Sequence, residues 1–494
     1  MTTTLDATTF DSHDPATGAV LTTWPVHGES DVRDAVLRAR TASVVWAGFG
    51  FAGRRQRLTA WKAEIARELP ALARLVHAEN GKPYGDAVLE VTLAVDHIAW
   101  AARNAPRVLG PRRVRSGAMA ANQASTLEYP PLGVVGVIGP WNYPVFTPMG
   151  SLAYALAAGN AVVFKPSEHT PAVGAWLVEA WQRAVPDSPD VLQLVTGSGE
   201  TGAALCRAGV DKVAFTGSAA TGRRVMSACA EGLVPVLMEC GGKDAMIVSD
   251  GADVTAAADA ALWGAMSNAG QTCIGIERVY VTEGSYDAFV SEITRRAAEL
   301  KPGSGSDASY GPITMPSQVA IIQRHIADAI ASGGRALTGG TVDGAYVAPT
   351  VLVDVPETSS AVTEETFGPT VTVTKVRDAE EALRRTNATS YGLAGSVFAS
   401  SSKAGMDIAR RMRSGMTSVN SVIAFASVPG LPFGGVGESG FGRIHGDDGL
   451  REFTRAKAIT RQRFALPVAL TSFRRPEKVT GQLVKAVRLL HGRG

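Results

Sequence analysis

The chain has few of the residues on which several common chemistries depend. Its four cysteines in 494 residues (Cys206, Cys229, Cys240 and Cys273) make no disulfide framework. None forms a C-x-x-C pair, which leaves a structural zinc ion without its usual ligands. The eight histidines show no metal-ligand spacing, so no metal is expected. H-E-x-x-H and G-x-S-x-G are both missing, so zinc hydrolysis and charge-relay hydrolysis lack their parts. No run of 18 apolar residues occurs, and no integral membrane segment is expected. The start, MTTTLDATTF, has neither a basic region nor an apolar core, so no secretory leader is expected and the cytoplasm is the expected address. Charge of one sign is not in excess: 48 Lys and Arg face 46 Asp and Glu, which gives no electrostatic case for nucleic acid.

What remains is a globular composition, 45% hydrophobic and 19% charged, long enough for about two to four domains. The first hundred residues read as helical. Asp31–Trp46 places Val32, Ala35, Val36 and Ala39 on one face, Arg54–Glu79 continues the period, and Asp86–Arg103 repeats it. From Gly133 the texture changes to short apolar runs: Val134–Ile138, Ala161–Phe164, Val191–Val195, Lys212–Phe215 and Val234–Met238. Helical stretches Ser151–Ala158, Pro171–Ala184, Gly199–Arg207 and Gly222–Ala230 lie between them. Apolar strands alternating with helices predict an α/β fold whose parallel sheet is covered on both faces. A second series follows, with strands Met246–Ser249, Val279–Thr282, Val371–Val376, Gly395–Ala399 and Thr417–Asn420, and Gly241-Gly242 reads as a hinge before it. Beyond Arg461 the chain is basic, and Leu483, Val487 and Leu490 recur at helical spacing. That tail predicts an amphipathic helix packed on the body or a sister subunit, with a membrane-surface helix as the other reading.

Several short segments carry candidate chemistry. Phe215-Thr216-Gly217-Ser218 leaves an apolar strand and opens a helix, where backbone N–H groups meet a phosphate; an ordinary glycine turn fits as well. The segment is no P-loop, because Arg223 and Arg224 stand where Lys and Ser/Thr are needed. Lys165-Pro166-Ser167-Glu168 ends another strand, where open sheets bind ligands, or where a Lys and a Glu are simply solvated. Cys273 lies in a small-residue loop, as a candidate nucleophile or an inert thiol. Glu239 ends an apolar strand, where a carboxylate is costly unless used or paired. Asn142, between Pro140 and Pro144, has an amide able to donate to an oxyanion or to cap the next helix.

The order of the motifs is more specific than any one of them. PWN, KPSE, FTGS, MECGGK, GQTC, EETFGP and PFGGVGESGFGR succeed one another from Pro140 to Arg443, and Glu239 precedes Cys273 by 34 residues. Together they resemble the aldehyde dehydrogenase superfamily over nearly the whole chain, with succinate-semialdehyde dehydrogenase-like features in SNAGQTCIGIERVYV and GGKDAMIV. The resemblance implies an NAD(P)-dependent, non-acylating enzyme. Cys273 matches its nucleophile, Asn142 its oxyanion donor and Glu239 the base that hydrolyses the thioester left after hydride transfer. On the cofactor side it implies contacts from Ile138, Trp141, Lys165, Ser167, Glu168, Gly199, Gly217, Ser218, Glu365 and Phe367. NAD or NADP is expected, with NAD favoured because Glu168 would repel a 2′-phosphate.

The same resemblance implies a Rossmann-like cofactor domain over 1–112 and 131–240 and an α/β catalytic domain over 241–440. A β oligomerisation extension with the C-terminal tail would span 113–130 and 455–494, in a homodimer or homotetramer. The substrate expected is a semialdehyde such as succinate semialdehyde. Alternatives are a fatty or aromatic aldehyde, a coenzyme A-acylating relative, and a non-catalytic binding protein of the same fold. Cys240 stands where the family usually has Leu. It reads as a small packed residue, with a regulatory link to Cys273 as the other reading.

Overall fold

The computed structural model describes residues 8–117, 120–466 and 470–492; parts of the expected extension and tail, Arg493 among them, lie outside the described residues. Runs of Val, Ile and Phe flanked by helices dictate the first sheet. Its strands stand in the order Gly440–Phe441, Val236–Cys240, Lys212–Gly217, Val134–Ile138, Ala161–Lys165 and Leu192–Leu194. All neighbours are parallel except the short Gly440–Phe441, which runs antiparallel to Val236–Cys240. The chain order reverses between Val134–Ile138 and Lys212–Gly217, so their carboxyl ends form the switch point at which such sheets bind ligands. Helices Glu29–Gly48, Phe146–Ala158, Pro171–Ala184, Gly199–Arg207 and Ala219–Ala230 accompany this sheet. Trp46 and, from the helix Gly50–Arg67, Trp61 pack edge-on against Trp181 at 5.4 and 5.5 Å. Each buried indole N–H donates to a carbonyl, of Leu156, Leu177 and Ser188 respectively, so burial leaves no donor unpaired.

The second sheet runs Arg335–Thr338, Thr350–Val353, Thr370–Val376, Ile276–Thr282, Asp244–Val248, Gly395–Phe398 and Ser418–Val419. Period-2 alternation serves two cores at once. Met246, Val248, Val279 and Val281 face one cluster, and Ala245, Ile247, Tyr280 and Val397 face the other. Gly241-Gly242 links the last buried strand of the first sheet to the second.

Four expectations need correction. The N-terminal hundred residues include a hairpin, Thr9–His13 with Val20–Pro25, whose mostly exposed strands have no apolar alternation to reveal them. The Arg54–Glu79 period is two helices, Gly50–Arg67 and Leu69–Asn80, parted before Pro70. Helices assigned from Ser151 and Gly222 begin earlier, at Phe146 and Ala219. The strands Arg335–Thr338 and Thr350–Val353 were not anticipated.

Contacts divide the chain into one unit up to Val108 and over Pro131–Thr454, and a second over Leu109–Pro130 and from Arg455 onward. The second holds a three-stranded antiparallel sheet: Arg112–Val114, Gln123–Glu128 and Lys457–Gln462. It also contains the helix Glu477–His491, of which no residue is buried.

Candidate active site

The site is assembled around the loop that ends in Cys273. After the helix Val254–Met266 the backbone turns through Asn268 (φ 52°), Ala269 (φ 56°) and Gly270 (φ 71°), three consecutive left-handed residues. The left-handed region costs a non-glycine residue about 1–2 kcal/mol, so Asn268 and Ala269 hold it only because their surroundings fix it. At Gly270 a Cβ would collide with the Gly368 carbonyl, so only glycine lets this loop meet the EETFGP loop. Asn268 Nδ2 donates to Asn142 O at 2.9 Å, and Gln271 Nε2 to Asn268 O at 2.9 Å. Cys273 emerges from this framework half-buried.

Asn142 does not cap the following helix. Its Nδ2 donates to Gln271 O at 2.9 Å, two residues before Cys273. The cap is supplied instead by Glu90, whose Oε1 accepts the N–H groups of Val145 and Phe146 at 2.8 and 3.1 Å. Lys82, fully buried, pairs with Glu90 at 2.5 Å, donates to Asn142 O at 2.8 Å and lies 3.9 Å above the Tyr143 ring. The Tyr143 hydroxyl meets Thr272 Oγ1 at 3.0 Å. Asn142 is therefore held from both ends, by main chain and by its amide.

Glu239 is buried, and among the described residues neither carboxyl oxygen has a hydrogen-bond partner. Burial raises its pKa well above the ordinary carboxylate range; Arg443 opposes the rise and Glu452 adds to it. Burial likewise raises the Cys273 thiol, helped by the negative charges of Glu365, Asp244 and Glu239. These carboxylates share one electrostatic environment with the sulfur. The Glu365 carboxyl is pushed up to about 8, chiefly by burial and by Glu277, while the Gly242 N–H donating to it at 3.2 Å pulls it down. A Cβ at Gly241 would overlap that carboxylate, and one at Gly242 would meet the Asp244 carboxylate and the Cys273 carbonyl, which explains the paired glycines.

Two residues that the sequence reading passed over hold the EETFGP loop. Glu277, paired with Lys243, accepts the N–H groups of Thr366 at 2.9 Å and Phe367 at 3.0 Å. Phe367 is thereby kept at φ 51°, with its ring 5.5 Å from Trp141. The available signal was a charged pair, Glu277-Arg278, opening an otherwise apolar strand. Glu90, within VLEVTLAV, gave the same kind of signal on a helix.

The cofactor-side residues gather at the carboxyl edge of the first sheet. Ile138 pairs with Lys165, and Gly217 with Cys240. Lys165 is buried, donates to Pro166 O at 3.0 Å and lies 3.8 Å from Glu168. Burial lowers its pKa, against the pull of Glu168. Ser167 Oγ reaches Glu168 at 3.4 Å. Ser218 caps the helix Ala219–Ala230 by accepting the Thr221 N–H, so the amino end of that helix opens beside the switch point. Gly199 starts the helix Gly199–Arg207, whose Gly202 faces Ile138 and Lys165. The structure thus joins Asn142, Glu239, Cys273, Glu365 and Phe367 in one cluster and lines Ile138, Lys165, Ser167, Glu168, Gly199, Gly217 and Ser218 along the adjoining edge. A buried ammonium, a partly exposed carboxylate and an open helix amino end fit a dinucleotide's ribose and pyrophosphate. Cys240 is packed against Gly222, its thiol pushed up to about 12 by burial.

Beside Cys273 lies a cavity of about 120 Å³. Its walls include Leu93, Phe146, Trp263, Ile274, Ile423 and Phe433. Lys82, the cation at its edge, is already paired with Glu90.

Comparison with known proteins shows the family. A model of the aldehyde dehydrogenase family matches residues 2–459. The chain is 36% identical to a 4,4′-diapolycopene aldehyde oxidase of Methylomonas sp over 93% of this chain and 87% of that one. It is 35% identical to a glutarate-semialdehyde dehydrogenase of Pseudomonas putida over 90% and 92%. A crystal structure of an NAD-dependent aldehyde dehydrogenase from Sinorhizobium meliloti superposes with a TM-score of 0.89 at 32% identity, covering 94% of this chain and 93% of that chain.

Proposed function

The chain belongs to the aldehyde dehydrogenase family, and on that premise we propose that it oxidises an aldehyde to its acid through a thioester on Cys273. The observation that carries this reading is the convergence of Cys273, the doubly held Asn142 and the unpartnered Glu239 on one loop cluster. The Cys273 thiolate attacks the aldehyde carbon, forming a C–S bond and an oxyanion. An amide has two N–H donors. One N–H of Asn142 is spent on Gln271 O; the other, with the Cys273 backbone N–H, receives the oxyanion. NAD or NADP, held along the Lys165–Glu168 and Gly217–Ser218 edge, would supply the hydride acceptor, and Cys273 would keep the acyl group as a thioester. Glu239 then takes a proton from water as that water attacks the thioester, and the C–S bond breaks to release the acid.

Lys165 and Glu168 would hold the adenosine ribose, the amino end at Gly217–Ser218 the pyrophosphate, and Glu365 the second ribose. Glu168 favours NAD, because its carboxylate repels a 2′-phosphate. Among the described residues the small three-stranded sheet has two unpaired edges, which suit pairing with a second copy, as a homodimer or homotetramer.

For substrate class the apolar cavity favours an uncharged aliphatic or aromatic aldehyde, since a carboxylate there would find Lys82 already neutralised and Asp86 nearby. The semialdehyde reading draws support from relatives such as the glutarate-semialdehyde dehydrogenase. Initial rates of nicotinamide reduction with decanal, benzaldehyde and succinate semialdehyde, each with NAD and NADP, decide between them. A larger kcat/KM for decanal or benzaldehyde upholds the apolar class, and a larger one for succinate semialdehyde overturns it. Asn142→Ala is expected to lower kcat by about 10²–10³-fold, the usual loss for one oxyanion donor. It also removes the bond to Gln271 O, so steady-state kinetics beside a melting curve lowered by only a few degrees check this.

A further inference from the structure

The near-neutral net charge of the chain conceals two oppositely charged units. Leu109–Pro130 together with the chain from Arg455 onward has thirteen Lys and Arg against two acids, Glu128 and Glu477, while the remainder has 35 against 44. About 62 residues thus concentrate a strong positive charge. They also include the helix Glu477–His491, on which Val479, Leu483, Ala486, Val487 and Leu490 repeat at three- and four-residue spacing. No residue of this helix is buried, and Val484, Val487, Leu489 and Leu490 are exposed. Phe473, just before it, is fully exposed. Lys478, Lys485 and Arg488 occupy the opposite side, and Arg474 and Arg475 precede the helix.

We infer that this second unit is a docking surface for an anionic lipid membrane. The apolar stripe of Glu477–His491 would lie in the headgroup boundary with its cations against lipid phosphates. Two observations carry the assignment to lipid. Contact with the same unit of a second copy would bury the apolar stripe but bring like charges together. A nucleic acid would satisfy the cations but leave Val487, Leu489, Leu490 and Phe473 in water. An anionic bilayer satisfies both, because apolar burial and attraction to charged headgroups add in binding such helices. The attraction acts within about one Debye length, roughly 8–10 Å, and so weakens with salt.

The test is co-sedimentation of the full chain with vesicles of phosphatidylcholine alone or with phosphatidylglycerol. Binding to the anionic vesicles is expected to be about tenfold tighter or more, and to fall when salt is raised. The paired substitutions Val487→Glu and Leu490→Glu should abolish it, and Lys478→Gln, Lys485→Gln and Arg488→Gln together should weaken it about tenfold or more. Activity on a small water-soluble aldehyde should be unchanged in both variants, which shows that they fold. Equal or absent binding to the two vesicle types overturns the proposal. So does vesicle binding that survives the Glu substitutions, or a change of oligomeric mass by light scattering in place of lipid binding. Tighter binding to duplex DNA than to the anionic vesicles, at the same salt, also overturns it.

Discussion

Replacing Cys273 by serine is expected to lower aldehyde-dependent nicotinamide reduction by about 10³-fold or more, because a hydroxyl at this position has no comparable nucleophilicity. The loop that presents Cys273 depends on the left-handed turn at Asn268–Gly270 and on Asn142, Gln271 and Asn268 hydrogen bonds, none of which uses the sulfur. The variant should therefore keep its melting temperature and its cofactor affinity. Stopped-flow absorbance of reduced nicotinamide, with a binding titration of NAD, separates lost chemistry from lost structure. The pH profile of the unmodified enzyme bears on the same group. Burial and the carboxylates of Glu365, Asp244 and Glu239 raise the Cys273 thiol, so the neutral form is favoured and the reactive thiolate grows as pH rises. The first-turnover rate should climb from neutral toward alkaline pH.

Glu239→Gln is the second large effect, and its signature differs. Glutamine has nearly the same shape but cannot accept the proton of the attacking water. The first turnover should proceed, giving a burst of reduced nicotinamide near one equivalent per site. Steady-state acid release should then fall by about 10²–10⁴-fold. A raised carboxyl pKa means that Glu239 is protonated, and idle as a base, over a wider low-pH range than an exposed Glu. Deacylation in the unmodified enzyme should accordingly rise with pH, and that dependence should vanish in Glu239→Gln. A coenzyme A-acylating enzyme would need no such base, and the substitution would leave its turnover largely intact. A non-catalytic protein of this fold would show no burst in either form.

Much of this was legible in the chain because the signals were local. Val134–Ile138 and Pro171–Ala184 stand where their apolar periods place them. Gly241 and Gly270 sit where a Cβ would meet the Glu365 carboxylate and the Gly368 carbonyl, approaches between distant segments that no short window reveals. What escaped the sequence was long-range polar support. Lys82 with Glu90, and Lys243 with Glu277, are buried pairs whose purpose is to hold Asn142 and the EETFGP loop. Nothing within a short window distinguishes such a pair from two solvated charges. The hairpin Thr9–His13 and Val20–Pro25 was missed for the opposite reason, since the residue it buries fully, Ser12, is polar and gives no apolar alternation. The charge contrast between the two units was hidden by summing over the whole chain.

The central claim is that the acyl group passes through Cys273 and leaves with the help of Glu239. Its most direct test is mass spectrometry of the Glu239→Gln protein, quenched after mixing with NAD and a reactive aldehyde and then digested. The account predicts an acyl mass increment on the peptide containing Cys273, in proportion to the burst of reduced nicotinamide and removable by hydroxylamine. A burst with no increment on that peptide, or with the increment on another residue, would contradict it.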